Sequence, residues 1–152
     1  GGPQFGVDID QVAGTHVDHA YLGACGSGMY DDFAHAAAVL RNRSVASHVR
    51  FFVVPGTVAT AHRLANDGWL QVSQAAGASV FPPGCGPCAG GAMGPLADGE
   101  TSISTAATNH AGRFGSKTAQ AYLGSPVTVA ASAIAGRIAD SRSLIPLPKG
   151  AQ

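Results

Sequence analysis

The chain has 152 residues with nine Lys and Arg against nine Asp and Glu, a formal net charge of zero. That length fits one domain with a real hydrophobic core, and the sparse, balanced charge argues against an electrostatic nucleic-acid or anionic-membrane partner. No apolar run reaches membrane-spanning length. The N-terminus, GGPQFGVDID, lacks the charged-then-apolar build of a signal peptide, so the protein is expected to be soluble and cytoplasmic. Its first residue is Gly rather than Met, and the chain is expected to be a processed piece or a part of something longer.

Taken in order, HAYLGA (19–24) reads as a short apolar strand running into a glycine turn. YDDFAHAAAVLRNR (30–43) has Phe33, Ala37 and Leu40 on one helical face, with Asp31 and Asp32 near the positive N-terminal end. VRFFVVPG (49–56) is a β-branched and aromatic strand stopped by Pro-Gly. TVATAHRLANDGWL (57–70) predicts a second helix, with Thr57 as N-cap and Asn66–Gly68 as its stop. GASVFPPG (77–84) is a third strand, and ETSISTAATNHAGRFG (100–115) begins as a strand and becomes a polar loop. SPVTVAASAIAGRIAD (125–140) predicts a last helix with Pro126 in its first turn and Ser125 as cap, followed by an irregular tail. No internal repeat is visible. Strands alternating with helices indicate an α/β fold with a mainly parallel sheet. In such sheets ligands collect at the carboxyl ends of the strands. Cys25, Cys85 and the loop carrying Asn109 and Arg113 all follow a predicted strand, so this edge is the expected site.

Three cysteines are an odd number and too few for a disulfide scaffold. Two of them form a CxxC in FPPGCGPCAGGAMG (81–94). A redox dithiol leaves Cys25 unexplained, haem attachment needs His where Ala89 stands, and structural zinc needs a fourth ligand from one of six histidines. Incidental cysteines are the plain alternative. A [4Fe–4S] cluster usually takes four thiolates; with three, one iron keeps the open position that Lewis-acid catalysis requires. Glycines beside each cysteine, in GACGSG and GCGPCAGG, let backbone N–H groups approach sulfur. From the residues alone these readings stay open.

The order of DHAYLGACGSGMYDDFAHAAAVLRNRSV, VRFFVVPG, PPGCGPCAGGAMGPLADGETSIST, GRFGS and YLGSPVTVAASAIAGRI resembles the aconitase superfamily. It looks most like the third domain of the 3-isopropylmalate dehydratase and homoaconitase large subunits. The resemblance covers roughly residues 15–140, leaving 1–14 as an extension or linker and 141–152 as a tail. It implies a three-layer α/β sandwich in which Cys25, Cys85 and Cys88 hold an open-site [4Fe–4S] cluster. It further implies reversible dehydration of a hydroxy carboxylic acid, with a base and other substrate contacts supplied by further aconitase-type domains or subunits. In the family's loop, roughly STSNRNFxGR, arginines and asparagines pair with substrate carboxylates, a task suited to the always-charged guanidinium fork. Here Ser104, Thr105, Asn109, Gly112 and Arg113 match, while Ala106, Ala107 and Thr108 replace Ser-Asn-Arg. The family's GSCTNG is GACGSG here, with Ser27 at the asparagine position. Cys25, Cys85 and Cys88 are thus the expected metal ligands, and Arg113, Asn109 and Thr108 the expected substrate-side residues. An altered substrate, different from isopropylmalate, is the expectation.

Other residues read as structural: His16 and His19 as satisfied histidines, His110 as a packing residue at an aromatic position, and Trp69 and Phe51–Phe52 as core or interface. Two competing functions remain, a non-catalytic iron or redox sensor and a scaffold subunit of an aconitase-like complex. The absence of a basic stripe counts against RNA binding.

Overall fold

The computed structural model of the protein describes residues 6–24, 26, 28–89 and 93–144. Five strands are β1 (His19–Gly23), β2 (Arg50–Val54), β3 (Ser79–Val80), β4 (Thr101–Ser104) and β5 (Gln120–Leu123). All run parallel, in the spatial order β3-β2-β1-β4-β5. β1 lies at the centre and is buried along its whole length, which is why it reads as an unbroken apolar run. The helix α1 (Ile9–Val12) precedes β1, α2 (Tyr30–Leu40) joins β1 to β2, α3 (Val58–Asn66) and α4 (Trp69–Ala75) join β2 to β3, and α5 (Pro126–Ala135) follows β5.

Strand alternation sorts the side chains into two cores. Ala20, Leu22, Phe51, Val53 and Ile103 face the helices, meeting Phe33 and Leu40 of α2 and Val129 and Ala130 of α5. There α2 packs against both α4 and α5. Tyr21 and Val54, of opposite parity, form a second core with Cys88, Leu96, Ala106 and Phe114, and Phe52 packs against it. The three layers are therefore helices, parallel sheet, and a cover drawn from the connections that carry Cys88, Leu96, Ala106 and Phe114. The α/β class with a mainly parallel sheet is as expected. Among the described residues no helix is long and apolar enough to cross a membrane.

The caps follow the sequence. Thr57 Oγ1 accepts the Thr60 N–H at 3.1 Å, and Ser125 Oγ accepts the Thr128 N–H at 3.3 Å. Asp32 accepts the Met29 N–H at 3.4 Å, serving the start of α2 as expected. Four elements depart from the sequence reading. α3 stops at Asn66, but Gly68, at φ +78°, turns the chain into a separate helix, α4, that the pattern did not separate. β5 and α1 were not anticipated. α5 ends at Ala135, short of the expected 140, because Gly136 takes the left-handed φ of +68° that closes a helix.

Candidate functional site

Three connections open at the carboxyl edge of the sheet. β1 ends at Gly23 and passes to Ala24, held at φ +90°, directly before Cys25. An alanine at positive φ is uncommon and costs energy, so the surroundings must impose it. Cys25 and Ser27 lie outside the described residues, as do Gly90, Gly91 and Ala92.

Beyond β3 the chain forms a single 3-10 turn, Gly86–Ala89. Cys85 is exposed, Cys88 is buried, and both are free thiols. The Cys88 N–H donates to the Cys85 carbonyl at 3.1 Å, closing the CxxC into a tight turn. Gly86 is needed here: its φ is +52°, and a Cβ would come within 2.8 Å of Val54 Cγ2. The turn therefore lies directly against the end of β2. Its other tether is Tyr21, a buried residue of β1 whose hydroxyl donates to the Cys85 carbonyl at 3.0 Å.

After β4, Thr105 prolongs the pairing of β4 with β1 through its side chain. Its Oγ1 accepts the Gly23 N–H at 2.9 Å and donates to the Gly23 carbonyl at 2.8 Å. Its own N–H donates to the Tyr21 carbonyl at 3.1 Å. One hydroxyl thus satisfies both backbone groups of the residue two before Cys25. Thr105→Val is expected to cost about 2–3 kcal/mol by stranding a buried N–H and carbonyl, whereas Thr105→Ser keeps most of the stability. Urea denaturation of the two variants checks this.

Farther along, Arg113 reaches back to the cysteine turn, with Nη2 donating to Cys88 Sγ at 3.5 Å. Its Nε is buried and has no partner among the described residues. Asn109 uses its amide to donate to the Ala121 carbonyl of β5 at 2.8 Å, anchoring the loop. Thr108 is exposed. His110 is also exposed, which corrects the expectation that it packs as an aromatic would. The structure therefore joins Cys85, Cys88 and Arg113, commits the Asn109 amide to the sheet, and leaves Thr108 facing solvent. Tyr21 and Thr105 hold the site together; Thr105 was visible as part of the matched loop, but nothing in the sequence marks Tyr21 as a tether.

His19 belongs to the other end of β1, roughly 13 Å away at strand rise. It is fully buried, shares a 2.8 Å bond between Nδ1 and Ser102 Oγ, and leaves Nε2 without a partner. Its ring lies 5.2 Å from Phe52 and 6.4 Å from Phe114, centroid to centroid. Burial, and secondarily the charge of Arg50, push its pKa down to about 4. His19 is thus half-satisfied rather than satisfied, and neutral at pH 7. Because its folded pKa lies below the unfolded value of 6.5, the unfolded chain binds more protons as pH falls. Full stability is expected above pH ~6.5, with roughly 3 kcal/mol lost as pH falls towards ~4. A His19→Gln variant should flatten that part of the pH–stability curve. An NMR titration placing the His19 pKa near 6.5 would contradict the assignment.

Among the described residues no three His, Cys, Asp or Glu side chains gather as a metal group; the described thiols are the Cys85–Cys88 pair. The donors fit a sulfur-held iron group nonetheless. Both thiols are free, they share one turn at the carboxyl edge of the sheet, and a guanidinium donor lies against the buried sulfur.

A parallel α/β sheet that brings a CxxC turn and an arginine loop to one edge defines the class of domain. The chain belongs to the aconitase family: the model of that family (aconitate hydratase) matches residues 6–136. It is 44% identical over 140 residues to the 3-isopropylmalate dehydratase large subunit 1 of Methanopyrus kandleri, covering 92% of this chain and 34% of that protein. It is 44% identical over 137 residues to the homoaconitase large subunit of Thermus thermophilus, covering 90% of this chain and 33% of that one. The 3-isopropylmalate dehydratase large subunit of Pyrococcus horikoshii is 41% identical over 136 residues, with shares of 90% and 35%. The chain spans about a third of the length of these curated relatives.

Proposed function

We propose that this chain is the cluster-holding part of an aconitase-type hydro-lyase, acting on a hydroxy carboxylic acid. The observation that carries the reading is the free Cys85–Cys88 turn, braced by Tyr21 and capped by Arg113, on the ligand-binding edge of a family member. Cys25, Cys85 and Cys88 would hold a [4Fe–4S] cluster, and residues 15–140 would form the unit that presents it. When bound, such a cluster supplies an iron with an open position that polarises the substrate hydroxyl as a Lewis acid.

The chain's own residues hold and orient. Thr105 and Tyr21 keep the two cysteine-bearing connections at a fixed separation. Arg113 supplies positive charge and N–H donors beside Cys88, where a carboxylate would be steered. Asn109 fixes the loop on β5, and the neighbouring Thr108 is exposed. Thr108 stands where the family has an arginine, and a neutral hydroxyl there accommodates a group other than a carboxylate. No complete acid–base pair gathers among the described residues of this edge, and relatives about three times as long carry the names of large subunits. A proton-abstracting base and the remaining substrate contacts would come from further aconitase-type domains or subunits.

The test is spectroscopic. The protein, with the chains that co-purify, is reconstituted anaerobically, reduced, and examined by EPR with a panel of hydroxy di- and tricarboxylic acids. A signal that shifts with one class of acid supports the reading and names the class. A cluster indifferent to every acid points to a sensor or scaffold.

A further inference from the structure

The contact between Arg113 and Cys88 carries a role that carboxylate binding does not explain. Nε–H and Nη2–H leave the guanidinium from the same edge and form the fork that takes a two-oxygen acceptor. In this structure one prong of that fork, Nη2, lies on Cys88 Sγ at 3.5 Å. The other, Nε, is buried without a partner among the described residues. A carboxylate taken bidentately on this edge would need both prongs, and the sulfur already holds one. Only the outer edge, with Nη1, stays open to a substrate.

Three features fix the loop that carries Arg113 beside Cys88. Cys88 is 7% exposed and packs in the second core with Phe114, the residue after Arg113. Gly112, at φ +81°, turns the loop immediately before the arginine. The Arg113 N–H donates to the His110 carbonyl at 3.0 Å, closing the turn. A buried charged donor left unpaired is costly, so the Nε–H calls for an acceptor that the neighbouring described residues do not provide.

We propose that Arg113 is a positioning residue for the iron–sulfur group, its Nε/Nη2 edge donating to the sulfur on the Cys88 side while its outer edge remains for substrate. This inference rests on the cluster reading above and adds a second duty to the residue. N–H donors on thiolate or sulfide withdraw charge from a cluster and raise its reduction potential. Arg113 therefore makes the group easier to reduce and slower to leave.

The test compares the reconstituted wild-type protein, with its co-purifying chains, against Arg113→Gln and Arg113→Lys. EPR-monitored redox titration is expected to give a more negative potential in Arg113→Gln, with Arg113→Lys between it and wild type. Pulsed EPR on protein labelled with guanidino-15N arginine is expected to show a nitrogen coupling in wild type that Arg113→Lys removes. If Arg113→Gln fails to retain the group, the lysine variant, which keeps the charge, carries the comparison. A lysine variant with the wild-type potential, or an absent nitrogen coupling in wild type, overturns the role of Arg113 while leaving the cluster reading intact. A wild-type protein that never takes up a cluster overturns both.

Discussion

Cys88→Ser is expected to leave the chain folded and to empty the site. Cys88 is 7% exposed in a core shared with Tyr21, Val54 and Phe114, and serine is close enough in volume to occupy the same space. Stability should fall only by the cost of a buried hydroxyl, about 1–2 kcal/mol. Retention of iron should fall much further, because a neutral hydroxyl is a poor ligand where a soft thiolate is required. Substitutions of residues that hydrogen-bond to metal ligands already cost about 10–100-fold in affinity, so loss of a ligand should exceed that and, under the proposed function, bring turnover of the hydroxy acid to background. Circular dichroism beside iron analysis separates the two effects. Wild-type iron content in Cys88→Ser would remove this cysteine from the ligand set.

Gly28→Ala is the second large effect, and it acts through the backbone. The connection leaving β1 touches the connection leaving β2 at this residue, and Gly56 donates its N–H to the Gly28 carbonyl at 3.1 Å. A Cβ on Gly28 would come within 2.6 Å of both the Ala24 carbonyl and the Gly56 nitrogen. Neither is a side chain that can swing aside, so the two connections must part. The expected cost is about 3 kcal/mol, at the upper end for overpacking, together with displacement of the segment that carries Cys25. The matching change at Gly56 meets its nearest atom, the Gly28 carbonyl oxygen, only at 3.0 Å. Gly56→Ala should therefore be clearly milder. Denaturant midpoints of the pair check the ranking, and equal midpoints would mean that the crossing relaxes without strain.

How far the sequence could be read depends on the range of the interactions involved. The central strands were legible because burial on both faces makes them continuous apolar runs, and the Thr57 and Ser125 caps because capping is decided within three residues. β5 was hidden: its four residues are half-exposed and run straight into the Gly-Ser-Pro start of α5, so neither alternation nor length marked them. α4 was hidden by Gly68, which reads as a terminator but here restarts a helix in a new direction. The cysteine edge was legible as a place, since each candidate followed a strand. What joins the edge was not. The Thr105–Gly23 bonds bridge 82 positions, the Tyr21–Cys85 bond 64, and the Arg113–Cys88 contact 25. No local pattern encodes such pairings. Asn109 shows the same limit, because its residue type suits either a ligand or a turn, and only the fold reveals its amide donating to Ala121.

The most direct measurement of the central claim is anaerobic quantification of iron and acid-labile sulfide per chain, with EPR after reduction. A cluster-holding chain is expected to yield iron and sulfide in equal amounts, about four of each per chain as in a [4Fe–4S] cluster, and to lose both in Cys88→Ser. Stoichiometric zinc, or a Cys85–Cys88 disulfide in a chain that takes up no iron on reconstitution, would contradict that claim.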